Sequence, residues 1–241
     1  MAGSRLLRTV ERTDVTQQPL TINSGPEKVW ASGSVTRQTL KDSTEAMIRR
    51  ALLSGQMKPG EIYSANALAT QLGISNSPAR EAMMSLVDKG LLELVRNRGF
   101  RVVELTEQDK LEVYELRMLI EVEAVRRAAQ RDLAVDQQQN LRELAAKTVE
   151  ISTHEDVSEY LELDQTFHAN LVGLVGNTRW LNVVNTLRDQ SRVNGFYLYL
   201  TENNGLEQTA HEHVEIAETV ITGEVEKAAE LMIRHLDYAK P

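Results

Sequence analysis

Apolar residues recur at helical spacing along most of the chain. The first such run covers about Thr39–Ser54, with Leu40, Ala46, Ile48, Ala51, Leu52 and Leu53 on the repeating positions. Gly55 closes it, and Lys58-Pro59-Gly60 makes a turn. A short helix over about Ala65–Leu72 is stopped by Gly73. The segment Ile74-Ser75-Asn76-Ser77-Pro78 then turns the chain into a third helix that runs to Lys89 and ends at Gly90. Pro78 suits the first turn of that helix, where the missing amide donor would have no partner anyway. Leu91–Arg96 and Phe100–Glu104 read as two short strands, joined by the tight turn Asn97-Arg98-Gly99 with a cation at its tip. Helix, helix, turn, helix and hairpin predict a winged helix-turn-helix.

From Thr106 onward the pattern is helical throughout. Six helices are predicted, at 107–131, 135–152, 155–175, 178–199, 206–221 and 223–239, and the short connections favour an antiparallel bundle. Thr106 and Asp109 fit a capping box at the start of the first. That helix shows an apolar stripe of Leu111, Val113, Leu116, Leu119, Ile120 and Val122. Residues 1–35 are polar, hold no sustained period and read as a mobile arm, basic at Arg5, Arg8 and Arg12. The expected organisation is mainly α: an arm at 1–35, a winged helix-turn-helix at 36–105 and an all-α bundle at 106–241.

Composition narrows the chemistry. The chain has no cysteine, which excludes disulfides, thiolate zinc sites, cysteine-ligated clusters and cysteine nucleophiles, and suits a reducing interior. The first thirty residues have no continuous apolar core, so they are not read as a secretory signal. No uncharged apolar run approaches the ~18 residues of a membrane span. A soluble, cytoplasmic protein is expected. The net charge of −8 hides an asymmetry: residues 1–105 carry 14 Lys and Arg against 10 Asp and Glu, and residues 106–241 carry 13 against 25. A module that meets an anion is joined to one that does not.

The helix that begins at Ser75 presents Ser75, Asn76, Ser77 and Arg80. Hydroxyls at a helix N-terminus suit phosphates, and Asn and Arg suit base edges in the major groove. Arg98 and Gly99 at the wing tip suit a minor groove or a phosphate. Ala82, Met83, Leu86 and Val87 are expected on the packed face. The competing reading is a surface ion pair at Arg80 and a helical hairpin with no DNA role.

The run LATQLGISNSPAREAMMSLVDKGLLELVRNRGFRVVELT, with AMIRRALLSGQMKPGEIY before it, resembles the winged-helix domain of the GntR family of bacterial transcription regulators. The resemblance covers about residues 38–238. It departs from the family at Asn66 and Asn76, where relatives usually carry Arg. The Arg side chain can read guanine, whereas Asn suits the adenine edge, so a palindromic operator with more A·T-rich contacts at those positions is expected.

All five histidines lie in the acidic half. Asp164 and His168 are four apart on one helix face. His213 and His235 lie at similar distances from the turn at Gly223, so antiparallel packing would bring them level. Three imidazoles and a carboxylate suit a borderline divalent metal. On spacing alone, separate surface or capped histidines are the better reading. Resemblance reverses it. DQTFH, VGN, EH and RHL look like the FCD ligand-binding domain of the FadR subfamily, and six helices resemble its VanR-like branch. That resemblance implies the metal ligands Asp164, His168, His213 and His235, with zinc the first candidate and nickel or manganese as alternatives. It leaves His211 facing elsewhere. It also implies a small carboxylate effector.

Arg117, Arg188 and Arg192 are the candidate cations for that acid, and a surface ion pair is expected for Arg188 or Arg192. Asn177 is expected to cap a helix, and Tyr197 and Tyr199 to line a pocket or fill core. The function implied is a homodimeric DNA-binding regulator, usually a repressor in this family, that is released from operator DNA by its effector. A regulator responding to the metal itself, and then a metal-dependent enzyme, are the alternatives. No motif places a general base or a cofactor loop, so no enzyme is expected.

Overall fold

The computed structural model of the chain describes residues 39–154, 157–194 and 205–241. The arm at 1–35, Tyr197, Tyr199 and the end of the expected 178–199 helix lie outside the described residues. Helix α1, Leu40–Leu53, starts at a capping box in which Thr39 and Asp42 satisfy each other's backbone amides. Strand β1, Ile62–Tyr63, follows, then α2, Ala65–Leu72, and α3, Asn76–Asp88. Gly73, with φ +66°, takes the left-handed turn that ends α2. Strands β2, Leu92–Val95, and β3, Gly99–Val102, form the wing.

The sheet has the order β1-β3-β2 and is antiparallel, with Tyr63 and Leu94 both opposite Phe100. Sequence reading missed β1, because two residues offer no alternation to detect. Phe100, Met83, Leu86, Leu92, Leu52 and Val102 are buried in an apolar core between the sheet and α1 and α3.

The remainder consists of α4, Glu107–Ala129; α5, Val135–Ile151; α6, Val157–Gly173; α7, Thr178–Val193; α8, Gly205–Ile221; and α9, Val225–Leu236, which runs into a 3₁₀ turn at Asp237–Ala239. Helix α4 packs on α6, α7, α8 and α9, while α5 packs on α6 and α8. The capping box of Thr106 and Asp109 is present at α4. Asn177 caps α7, accepting from the amides of Arg179 and Trp180.

The α4 stripe needs correcting. Leu116 and Leu119 are 44% and 70% exposed, and the buried face is Val113, Arg117, Glu121, Ala124, Val125 and Ala128. The helix turns two charged residues inward where its leucines predicted otherwise. Below that level the core is ordinary: Val125, Ala128, Leu141, Phe167, Ile216, Val220 and Met232.

Candidate metal centre and nucleic-acid interface

Two constellations stand out, one on each domain. On the head, Ser75 is the N-cap residue of α3, and its side chain makes no capping bond, so the hydroxyl is available outward. Asn76, Ser77 and Arg80 follow on the exposed face, while Ala82, Met83 and Leu86 point into the core and Val87 is half-buried. Asn66 comes alongside from α2, its Oδ1 accepting from Asn76 Nδ2 at 3.4 Å. The Arg80 guanidinium lies over the Phe100 ring, 5.7 Å from its centre. Arg98 is exposed at the wing tip beside Asn97, whose φ is +59°. One cleft is lined by Asn66, Asn76, Ser77, Arg80, Arg98 and Gly99, so the fold brings six of the seven expected residues together. Gly99 has a further reason to lack a side chain. Its φ is +132°, and a Cβ there would come within 2.4 Å of the Tyr63 carbonyl oxygen on β1.

In the bundle, Asp164 and His168 of α6 meet His213 of α8 and His235 of α9. All four are buried, and one ligand atom from each lies within 4.8 Å of every other. Donors held by a divalent ion at about 2.1 Å stand about 3–4 Å apart, so little closure is required.

The polar groups behind the ring nitrogens favour one tautomer at each histidine. His235 Nδ1 donates to Glu212 Oε2 at 2.9 Å, whereas His168 Nδ1 lies 2.6 Å from Glu121 Oε2 without hydrogen-bond geometry, and the carboxylate's charge favours the proton on that nitrogen. Thr148 spends its one hydroxyl proton on the Ala145 carbonyl at 2.7 Å, so its oxygen accepts from His213 Nδ1 at 3.0 Å. In those tautomers every Nε2 presents a lone pair. His168 Nε2 and His235 Nε2 face each other at 3.1 Å, and His213 Nε2 faces Asp164 Oδ1 at 3.3 Å with no hydrogen-bond partner. Four acceptors converge without a donor between them, an arrangement that a cation resolves. Anchoring of the far nitrogen by a carboxylate or hydroxyl is the arrangement metal-bound imidazoles use. Burial, reinforced by neighbouring cationic groups, pushes His168 and His213 well below the ordinary imidazole value, which keeps them neutral and able to bind.

Around this cluster lie three arginines. The expectation of a surface ion pair at Arg188 or Arg192 is overturned, since they are 0% and 4% exposed. Arg188 donates to Glu121 at 2.9 Å and to Asp164 at 2.6 Å. Arg192 donates to the same Asp164 oxygen and to Gln165 at 2.6 Å. Arg117 donates to Glu121 at 2.8 Å and to Ser191 at 3.3 Å. Burial raises the Glu121 carboxyl, but Arg188, Arg117 and His168 outweigh it and hold the group well below the carboxylate range. Beside the cluster, Arg117 Nη2 and Arg188 Nε are buried guanidinium donors without a hydrogen-bond partner among the described residues. Buried guanidinium donors left over beside a candidate metal cluster are suited to an anion.

Glu121, Glu212 and Thr148 were not singled out from the sequence. Glu121 had a signal, four residues after Arg117 in ELRMLIE, and Glu212 stands in the EH pair, whereas nothing marked Thr148. His211 and His154 are exposed and outside the cluster.

Comparison with known proteins identifies both domains. The sequence profile of the bacterial regulatory proteins of the gntR family matches residues 40–102, and that of the FCD domain matches residues 112–238, more than half of the chain. The Nta operon transcriptional regulator of Aminobacter aminovorans is 37% identical over 141 residues, which are 58% of this chain and 66% of that one, just under two thirds. The regulator YdhC of Bacillus subtilis is 29% identical over 79% of this chain and 85% of its own. Several other relatives are named transcriptional repressors. The solved structure of E. coli McbR/YncC superimposes with a TM-score of 0.72 over 83% of this chain and 94% of that one, at 21% identity, a likeness of fold. The chain belongs to the GntR family of DNA-binding transcription regulators, with an FCD domain behind its winged head, and is not an enzyme.

Proposed function

We propose that the protein is a repressor that binds a palindromic operator as a homodimer and is released when a small carboxylate enters its bundle beside a divalent metal ion. The observation that carries this reading is the meeting, inside the bundle, of four converging acceptors with two unsatisfied guanidinium donors. Asp164, His168, His213 and His235 would hold the ion, zinc being the first candidate for a set of three imidazoles and one carboxylate. When bound, the ion supplies a Lewis-acidic position for one oxygen of the acid. Arg117, Arg188 and Arg192 take the remaining negative charge, and Glu121 holds two of them in place.

On the DNA side, Arg80, Asn66 and Asn76 read base edges, Ser75 and Ser77 meet phosphates, and Arg98 reaches the neighbouring groove or backbone. The two asparagines favour adenine contacts where an arginine would take guanine. Exposed Leu116 and Leu119 of α4, with Val183 of α7, supply apolar surface for a second copy, and a two-fold dimer matches a two-fold operator. No helix among the described residues is long and apolar enough to cross a membrane. A cytoplasmic site of action fits a DNA target.

Footprinting the metal-loaded protein on DNA upstream of its own gene tests the reading. Protection of a palindrome that is relieved by an added carboxylate supports it. Relief by chelation alone, with no acid able to act, would make the metal itself the signal. A half-site read through guanines at the two asparagine positions would overturn the adenine assignment.

A further inference from the structure

Helix α7 makes different contacts on adjacent faces. At about 100° per residue, Arg188 and Arg192 form one stripe, Asp189 and Val193 the next, and Gln190 and Asn194 the one after. The first stripe holds Asp164, as described. The other two hold the DNA head. Asp189 takes Arg49 of α1 through two bonds, Nε to Oδ2 at 2.7 Å and Nη2 to Oδ1 at 2.5 Å. Gln190 Nε2 donates to the carbonyl of Lys89, the residue that caps the C-terminus of α3, at 3.0 Å. Val193 is buried in the apolar core of the head, and Asn194 accepts from the Leu105 amide at 2.7 Å. The Arg50–Glu162 pair from α6 also crosses, but it is solvent-exposed and contributes little.

We propose that α7 is the transmission element of the regulator: the Asp189–Arg49 and Gln190–Lys89 contacts latch the head to the same helix whose Arg188 and Arg192 hold Asp164. The proposal rests on the effector reading for its input. A group that draws the two arginines from Asp164 shifts or rotates α7. Asp189 then moves with its neighbours, because adjacent residues of one helix cannot move separately. A two-point guanidinium–carboxylate pair is directional, and packed cores switch between arrangements rather than stretch. Arg49 and the end of α3 therefore follow. Lys89 lies at the far end of α3 from Ser75–Arg80, and a helix of 13 residues carries displacement across about 20 Å.

Hydrogen exchange on the full chain, with zinc chloride or EDTA as the probe, reads both domains at once. Zinc is expected to slow exchange in α6 and α8 and to change it in α1 and α3 by about five-fold or more. In Asp189→Asn, and separately in Arg49→Gln, the bundle response should persist while the head response falls below about two-fold. A full head response in both variants overturns the proposal, as does a silent head in the parent chain when the bundle responds. If zinc leaves the bundle unchanged, the metal reading fails, and Asp164→Asn in the metal-free chain decides the coupling. Cutting the anchor of both arginines must then raise exchange in α3 and must not do so once Asp189→Asn is added. An unmoved α3 in the single variant overturns the latch.

Discussion

The core of the head and the centre of the bundle are buried to similar degrees but filled differently. Phe100, Met83, Leu86 and Leu92 fill the first with hydrocarbon. At the second, Arg117, Glu121, Asp164, Arg188, Arg192 and three histidines replace it. Ion pairs in such a place are poor stabilisers, because removing the charges from water offsets most of their attraction. Hydrocarbon of equal volume would hold the helices as well or better. The difference sets a head core filled for shape against a bundle centre filled with charge, which supports the ligand reading proposed above.

Breaking the charge balance is the strongest test of that contrast. Arg188→Met leaves Glu121 and Asp164 short of a partner and should cost about 3–5 kcal/mol in urea unfolding of the metal-free chain. A loss below about 1 kcal/mol would show that other donors already satisfy both carboxylates. Next comes ligand loading. Zinc at about a hundred times its dissociation constant should add about 2.7 kcal/mol to the parent chain and nothing to His213→Ala. Phe100→Leu, which disturbs the head and leaves the bundle residues untouched, should keep that gain, and calorimetry with and without EDTA separates the three proteins.

On the DNA surface, Arg80→Ala should cost about 1–3 kcal/mol in operator binding and relax the sequence preference. Arg98→Ala should instead weaken all sequences alike and lower the salt slope by about 1, if it touches phosphate. Titrations at several salt concentrations distinguish the two. The smallest effect is expected at the α7 cap, where Asn177→Ala should lose about 1 kcal/mol of thermal stability without changing zinc affinity.

The head was nearly legible in the sequence because its signals are local: Gly55, Gly73 and Gly90 punctuate three amphipathic helices, and Asn97–Gly99 marks a hairpin. In the bundle, the i, i+4 spacing put Asp164 and His168 on one face, but only the family resemblance joined them to His213 and His235. The reading of α4 failed for a physical reason. Periodicity locates the buried face by its apolar residues, and here Arg117 and Glu121 occupy that face while Leu116 and Leu119 lie outside. Thr148 was invisible because its role depends on a hydroxyl's single proton, a property no spacing encodes. Buried arginines at 188 and 192 contradict the rule that charges stay in water, and they mark a place where local rules yield to the site.

Gly90, just after α3, has φ +68°, and a Cβ there would come within 2.6 Å of Gln190 Nε2. Its hydrogen atom is thus part of a socket as well as the end of a helix. Anyone transplanting a foreign DNA-reading head onto this bundle, to make a sensor with a new promoter, inherits that socket. For the latch proposed above, the donor head needs an arginine opposite Asp189, and at the matching place a residue that adopts positive φ and leaves Gln190 in position, which glycine does without strain. If the proposed latch carries the signal, a chimera lacking either would fold as two sound halves whose head does not respond to the bundle.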